Sequence, residues 1–217
     1  MANARIIHIQ TYEEEEKMNT AVNEESGKMN VKDLITVGIF TVVYFVIFFI
    51  SAMTGMVPIM AVFYPVLIAL LAGIPCILFF TKVKKFGMIT IMATLSAVLL
   101  WLMGYGYMGI FTGVIFGLAA DFILKSGNYK SFTKMVIGYV VFSEWVIGTQ
   151  LPMFIGAEAY AESFREMQGD EFVDSLEKLI SWGTCGVVVA CVAVAAVVGA
   201  FIGKAVLKKH FERAGIA

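Results

Sequence analysis

The chain has 217 residues, of which 59% are hydrophobic and 15% are charged. Soluble domains usually contain about 45–50% apolar and about 25% charged residues. The excess of apolar residues lies in long blocks rather than in alternating or striped patterns, which is typical of membrane helices. The composition therefore excludes an ordinary soluble domain and predicts an all-α integral membrane protein. The net charge of −1 gives no indication of a nucleic-acid partner.

The first 28 residues differ from the rest of the chain. They hold few large apolar residues and include the acidic run Glu13–Glu16. Such a composition cannot bury enough apolar surface to fold alone. Residues 1–28 are therefore predicted to form a flexible polar tail, and residues 29–217 a single transmembrane domain. The tail lacks the basic stretch and short apolar core of a secretory signal.

Six apolar blocks follow the tail. A helix needs about 20 apolar residues to cross a bilayer, and the blocks are close to that length. The predicted spans are span 1, Val31–Thr54; span 2, Pro58–Thr81; span 3, Phe86–Met103; span 4, Tyr107–Leu124; span 5, Phe132–Ile155; and span 6, Trp182–Leu207. Pro65 and Pro75 are expected to kink or break span 2, because proline removes a helical hydrogen bond.

A long loop, Ala157–Leu179, separates spans 5 and 6; we call it the outer segment. It is charged, but its large apolar residues recur at helical spacing on either side of Gly169. These residues are Tyr160, Phe164, Met167, Phe172, Leu176 and Leu179. The pattern favours one or two amphipathic helices lying on the membrane surface. An ordinary solvated connector is the alternative.

Lysine and arginine residues are distributed unevenly between the loops. With six spans, one side of the membrane receives Lys32, Lys82, Lys84, Lys85, Lys125, Lys130, Lys134, Lys204, Lys208, Lys209 and Arg213. The opposite side holds only Arg165 and Lys178. Because cytoplasmic loops are enriched in Lys and Arg, we expect a multi-pass protein of the cell membrane with both termini cytoplasmic and the outer segment outside.

Small residues repeat every four positions on three of the predicted spans. The stripes are Gly109, Gly113 and Gly117 on span 4, Ala195, Gly199 and Gly203 on span 6, and the pair Ala69 and Gly73 on span 2. Such stripes let helix backbones approach closely within lipid. They fit either packing inside one bundle or docking against another membrane subunit.

Glu144, near the middle of span 5, is the clearest charged residue inside a predicted span. Charged groups in hydrocarbon are costly, so such a residue is a functional candidate by default. It either contacts a ligand or carries a proton, or it is protonated and bonded to a neighbouring helix. Asp121, near the cytoplasmic end of span 4, is expected to meet water, Lys125 or a partner protein.

Aromatic and methionine side chains collect at the outer ends of the spans. An interfacial aromatic belt explains them without a ligand. A pocket lined by them and closed by the outer loops would instead suit a flat, largely apolar ligand. The candidate ligand-binding residues are Trp101, Tyr105, Tyr107, Glu144, Gln150, Trp182, Met53 and Met56.

Sequence motifs of enzymes are missing. The chain has no glycine-rich phosphate loop ending in Gly-Lys-Ser/Thr and no His-Glu-x-x-His zinc motif, and its histidines are His8 and His210. We therefore expect no catalytic residues, no metal site and no cofactor held by this chain.

Several segments resemble those of a known group of membrane proteins. They are Met29–Ile35, Thr81–Gly87, Thr112–Leu118 leading into Asp121, Lys125–Lys130 with the distinctive sequence Lys-Ser-Gly-Asn-Tyr-Lys, and Leu207–Phe211. On these segments the chain from Met29 onward resembles the Trep_Strep family of small bacterial membrane proteins. These proteins look like substrate-binding S components of energy-coupling factor (ECF) transporters.

The resemblance implies a six-helix, S-component-like bundle that binds a micronutrient from outside. It also implies three partner subunits, a transmembrane coupling subunit (the T component) and two ATPases that consume the ATP. Such a subunit is held to topple in the bilayer to release its ligand inside. Relatives often dock through an Ala-x-x-x-Ala stripe on the first helix, whereas span 1 offers only Gly38 and Thr41.

Two functions remain open from the sequence. The first is the S component of an ECF-type ABC importer, with a vitamin-like molecule as the expected substrate and a tetrapyrrole or metal chelate as alternatives. The second is a stand-alone channel or proton-coupled carrier that uses Glu144.

Overall fold

The computed structural model describes residues 28–213, with side chains described up to residue 209. The helices are α1 Val31–Met53, α2 Pro58–Leu71, α3 Gly73–Lys82, α4 Met88–Leu102, α5 Met108–Ser126, α6 Phe132–Ser143, α7 Ile147–Ile155, α8 Ala157–Glu162, α9 Arg165–Gln168, α10 Asp170–Glu177 and α11 Trp182–Arg213. Two 3₁₀ turns, Thr54–Met56 and Glu144–Val146, follow α1 and α6. This part of the chain contains no strand, which confirms the all-α prediction. The predicted tail, apart from Lys28, and the side chains of His210 and Arg213 lie outside the described residues.

Three helical stretches of the described chain are long and apolar enough to cross a membrane. They are Val31–Met56, Met108–Ser126 and Trp182–Lys209, and the bent pair α2 and α3 would make a fourth. These stretches correspond to predicted spans 1, 4, 6 and 2. Span 3 corresponds to α4, which is apolar but has only 15 residues. Span 5 is divided between α6 and α7. The count of six spans therefore stays a prediction.

Span 2 is bent by 46° between α2 and α3. Pro75 lies in the first turn of α3 and cannot donate a hydrogen bond to the carbonyl of Leu71, the last residue of α2. The expected break is thus found on the N-terminal side of Pro75. Pro65 lies inside α2, which continues through it.

Span 5 is interrupted by the 3₁₀ turn Glu144–Val146. The Thr112 hydroxyl of α5 donates to the carbonyl of Trp145 at 2.8 Å. A Cβ at Gly148 would lie 1.8 Å from Thr112 Oγ1, so only glycine admits this hydroxyl. A side chain inserted into the backbone hydrogen-bond ladder is a known cause of a helix break.

The glycine stripes pack inside the bundle. On α5, Gly109 faces Thr149, while Gly113 and Gly117 lie against α4. On α11, Gly199 approaches the backbone of α2 near Ala69, and both Gly199 and Gly203 touch Gly73. Of the two interpretations of the stripes, the structure supports internal packing, in which small residues bring backbones together.

The helices bring the predicted lysine-rich loops to one end of the bundle, which we call the lysine end. The Lys85 ammonium lies 3.0 Å from Asp33 at the start of α1. Lys125, at the end of α5, lies over the Phe86 ring at 5.3 Å. Lys204 of α11 lies over the Phe132 ring, at the start of α6, at 4.1 Å. The loops grouped together in the sequence analysis are thus neighbours in space.

Asp121 holds two helices together at the lysine end. It is fully buried and accepts hydrogen bonds from the first turn of α4: from Thr90 N at 2.9 Å, Thr90 Oγ1 at 2.5 Å and Ile89 N at 3.4 Å. The carboxylate satisfies amide groups that lack partners at a helix start. These contacts favour a structural role, and the 0% exposure of Asp121 does not fit the expected contact with bulk water.

The outer segment consists of three short helices, α8, α9 and α10. Phe172, Val173 and Leu176 of α10 are buried, and α10 packs on α2. Gly169, between α9 and α10, has a φ of +83°, a conformation that favours glycine. The helical pattern is confirmed, and the apolar face of α10 covers protein, whereas Met167 of α9 is 77% exposed. A location on the membrane surface stays a prediction.

Candidate functional site

An open cavity of about 650 Å³ lies at the end of the bundle opposite the lysine end. We call this the cavity end. The cavity is bounded by the turn after α1, the start of α2, the turn between α4 and α5, α7 and the outer segment. Its lining residues are Ala52, Met53, Gly55, Met56, Ala61, Tyr64, Met103, Gly104, Tyr105, Gly106, Thr149, Pro152, Tyr160, Ser163, Phe164 and Gln168. Ligand pockets commonly measure about 300–1,000 Å³.

Methionine and aromatic side chains give the cavity its chemical character. Met53, Met56 and Met103 are more than half exposed and form its rim. The rings of Tyr160 and Phe164 lie 5.1 Å apart on the side of the outer segment. Methionine adapts to irregular shapes, and aromatic rings offer flat apolar surface. Together they suit a ligand with a flat, apolar body.

The inner wall of the cavity is polar and buried. Tyr64 and Thr149 are 7% and 5% exposed, and their hydroxyls lie 3.2 Å apart. Gln150 lies beside them at 2% exposure, and its Nε2 donates to the carbonyls of Ala61 and Val62, at 3.1 Å each. Its Oε1 is buried without a partner among the described residues. Buried polar atoms without a partner are rare, which makes this wall the most distinctive part of the site.

Among the described residues, none of those that line the cavity is charged. A charged cluster lies on the outer segment, where Arg165 Nε lies 2.6 Å from Glu162 and Arg165 also pairs with Asp170. Burial, with a smaller effect of Tyr105, raises the pKa of Tyr160 to about 12. The Tyr160 hydroxyl is therefore neutral at physiological pH and can donate or accept a hydrogen bond.

Three of the candidate residues from the sequence line the cavity, namely Met53, Met56 and Tyr105. Gln150 is buried behind the inner wall. The structure does not bring the remaining candidates to the cavity.

The three other aromatic candidates lie on the outside of the bundle. Trp101 is 49% exposed at the end of α4. Tyr107 packs on Phe111, and Trp182 on Phe154. Amphipathic rings at such positions fit an interfacial belt, the alternative explanation given by the sequence.

Glu144 lies away from the cavity, in the 3₁₀ turn that interrupts span 5. Its Oε2 is buried and has no hydrogen-bond partner among the described residues. The expectation of a bond to a neighbouring helix is therefore not met for this oxygen.

Sequence reasoning missed several residues of the cavity. Tyr160 and Phe164 stood out through their helical spacing, but they had been assigned to a membrane-facing surface. Tyr64 and Thr149 carried no signal, because a single hydroxyl within an apolar block has no distinctive pattern. Only the contact between α2 and α7 brings these two hydroxyls together.

Comparison with known proteins gives one match. Residues 31–213 match the family model of Trep_Strep, described as a hypothetical bacterial integral membrane protein. No curated protein and no solved structure matches the chain. The match covers nearly all of the described residues, including both ends of the bundle. The chain therefore belongs to the Trep_Strep family of bacterial integral membrane proteins.

Proposed function

We propose that this chain is the substrate-binding S component of an ECF-type importer. It captures a micronutrient outside the cell, and a coupling subunit with two ATPases drives uptake. The cavity at the end opposite the lysines carries this proposal. A pocket at one end of the bundle, rimmed by exposed methionines, suits capture better than continuous conduction.

The proposal includes the finer topology. The chain crosses the cell membrane six times, with the lysine end cytoplasmic and the cavity outside. The clustering of Lys85, Lys125 and Lys204 at one end supports this orientation, because positively charged loops stay in the cytoplasm. The pairs α2–α3 and α6–α7 each count as one broken span, and irregular backbone is tolerated in a membrane where it is buried in protein.

The orientation is tested by cysteine labelling in intact cells. Cys76, Cys185 and Cys191 are first replaced by alanine, and a single cysteine is then introduced as Lys84→Cys or as Lys178→Cys. Both positions are exposed. A membrane-impermeant maleimide should label the Lys178→Cys protein and not the Lys84→Cys protein. The reverse pattern would contradict the orientation and, with it, the importer proposal.

The function itself is tested by binding and transport. Native mass spectrometry of the purified chain should reveal a co-purified small molecule in the cavity. Uptake of that molecule into proteoliposomes should require the coupling subunit, both ATPases and ATP. Uptake by the chain alone, driven by a proton gradient, would contradict the proposal.

A stand-alone channel or proton-coupled carrier is the second candidate, because Glu144 has a buried carboxylate oxygen without a partner. Glu144→Gln separates the two functions. Under the importer proposal it leaves ligand affinity and ATP-driven uptake within about twofold of the wild type, since Glu144 does not line the cavity. Under the carrier hypothesis it abolishes proton-driven uptake.

A further inference from the structure

The hydrogen bonds of the inner wall determine which kind of polar group a ligand must present there. The Thr149 hydroxyl donates to the carbonyl of Val146 at 2.7 Å. A threonine hydroxyl has a single hydrogen. The 3.2 Å contact between Thr149 and Tyr64 is therefore made with the Tyr64 hydroxyl as donor.

The hydrogen bonds of Gln150 can be assigned in the same way. Both hydrogens of its amide nitrogen are used, one toward the carbonyl of Ala61 and one toward that of Val62. Its Oε1 is left as a buried acceptor without a partner.

All the side-chain hydrogens of Tyr64, Thr149 and Gln150 are thus engaged within the protein. Toward the cavity, what remains is acceptor capacity on the hydroxyl oxygens of Tyr64 and Thr149, whereas Gln150 Oε1 is buried behind them. A ligand acceptor at this wall would meet oxygen lone pairs, whereas a ligand N–H or O–H would find partners. On the opposite side, Tyr105 and Tyr160 carry hydroxyls that can serve either role.

The lack of charge in the cavity lining further restricts which ligand groups can bind. No described residue lining the cavity is charged, and Arg165 is already paired with Glu162 and Asp170. A charged ligand group would have to lose its hydration without gaining a counter-ion, which is unfavourable. The ligand group that reaches the inner wall is therefore neutral.

We propose that the cavity selects a neutral, flat heteroaromatic molecule that points an N–H or O–H donor at the acceptor wall of Tyr64 and Thr149. The methionine rim and the rings of Tyr105 and Phe164 hold the apolar body of this molecule. The inference rests on the proposed function only in taking the cavity as the site of ligand capture.

Three bicyclic fragments test the donor requirement. Benzimidazole presents a ring N–H, 1-methylbenzimidazole carries a methyl group at that nitrogen, and benzoxazole has an acceptor oxygen there. Binding of each to the purified full-length chain in lipid nanodiscs is measured at pH 8, where all three are neutral, by ligand-observed NMR titration. Benzimidazole should bind roughly threefold to tenfold more tightly than the other two, as expected for one neutral hydrogen bond.

Two matched variants locate the effect. Tyr64→Phe should lower benzimidazole affinity toward that of 1-methylbenzimidazole, because it removes one of the two hydroxyl acceptors that line the cavity. Tyr139→Phe removes a buried hydroxyl that donates to the carbonyl of Ala69 away from the cavity, at 2.7 Å, and it should leave the preference unchanged. If the Tyr64→Phe protein does not fold, the three-fragment comparison on the wild type decides alone.

The outcomes separate this inference from the importer proposal. Equal affinities, a preference for benzoxazole, or no binding of benzimidazole would overturn the donor requirement and leave the importer proposal standing. A donor preference in a chain whose uptake needs no ATPase would overturn the importer proposal and leave the donor requirement standing.

Discussion

The two ends of the helical bundle are built differently. Toward the lysine end, helices meet through glycines, a buried carboxylate and a nearly buried ion pair. At the cavity end, the helices surround a cavity of about 650 Å³ that is lined by methionines and aromatic rings. Backbone contacts and buried charges have little freedom to rearrange, whereas methionines adapt to a guest. We therefore expect substitutions near the lysine end to change stability and substitutions at the cavity end to change binding.

Among substitutions that test this difference between the two ends, Gly73→Ala is expected to have the largest effect on stability. The added Cβ would lie 2.3 Å from the carbonyl carbon of Gly199 and 2.4 Å from its oxygen, both backbone atoms. Forcing α3 and α11 apart should lower the free energy of unfolding by about 3 kcal/mol or more. Thermal unfolding in detergent, followed by tryptophan fluorescence, measures the loss.

Gly186→Ala is the matched control for this substitution. Gly186 lies within α11, and nothing is within 4 Å of its Cβ position. Alanine has the higher helix propensity, so this change should be neutral or stabilising by up to about 1 kcal/mol. Equal melting temperatures for the two variants would show that α3 and α11 do not meet at Gly73.

Asp121→Ala should have the next largest effect. It leaves the amide and hydroxyl of Thr90 without the carboxylate that they contact at 2.9 and 2.5 Å. Unpaired buried donors should reduce the free energy of unfolding by about 2 kcal/mol. Chemical unfolding in detergent measures this, and Asp174→Ala, an exposed aspartate of α10, should be neutral. A neutral Asp121→Ala would mean that water replaces the carboxylate.

Lys85→Met tests the ion pair at the lysine end. The Lys85 side chain is 6% exposed and lies 3.0 Å from Asp33, which is 17% exposed. Removing a charged hydrogen-bond donor should reduce the free energy of unfolding by about 1.5 kcal/mol. Lys84→Met changes an exposed neighbour and should leave stability unchanged. The same melting temperature for both variants would argue against the ion pair.

The smallest effect is expected at the outer segment from Arg165→Gln. Arg165 pairs with Glu162 of α8 and with Asp170 of α10 at the surface. Exposed pairs contribute little to global stability, so the melting temperature should not change. Chymotrypsin should cut the outer segment faster, since α8, α9 and α10 lose a common contact. Lys178→Gln, in the same segment, should leave the cleavage rate unaltered; a matching acceleration there would contradict a specific role for Arg165.

The predictions from sequence succeeded where a local sequence pattern determines the structure. Proline cannot complete a helical hydrogen bond, so the break near Pro75 was visible in the sequence. They were less complete for span 5, where the interruption depends on Thr112 reaching Trp145 from another helix. No local sequence pattern around Trp145 predicts a hydrogen bond from a hydroxyl 33 residues away in the chain.

The candidate site shows the same division. Met53, Met56 and Tyr105 were found because residues near the ends of apolar blocks share a depth in the membrane. Trp101, Tyr107 and Trp182 share that depth as well, but their side chains lie on the outside of the bundle. Depth is set by position along the chain, whereas the direction of a side chain depends on which helices become neighbours.

The sequence by itself determined that the chain is an all-helical membrane protein with most of its loop lysines at one end, because hydrophobic length and loop charge are local quantities. Tertiary structure alone decided where the cavity lies and which polar side chains form its inner wall. That wall requires Tyr64 of α2 to meet Thr149 of α7, two residues 85 positions apart in the chain. Contacts between residues so far apart in the chain arise from helix packing, and no single stretch of sequence predicts them.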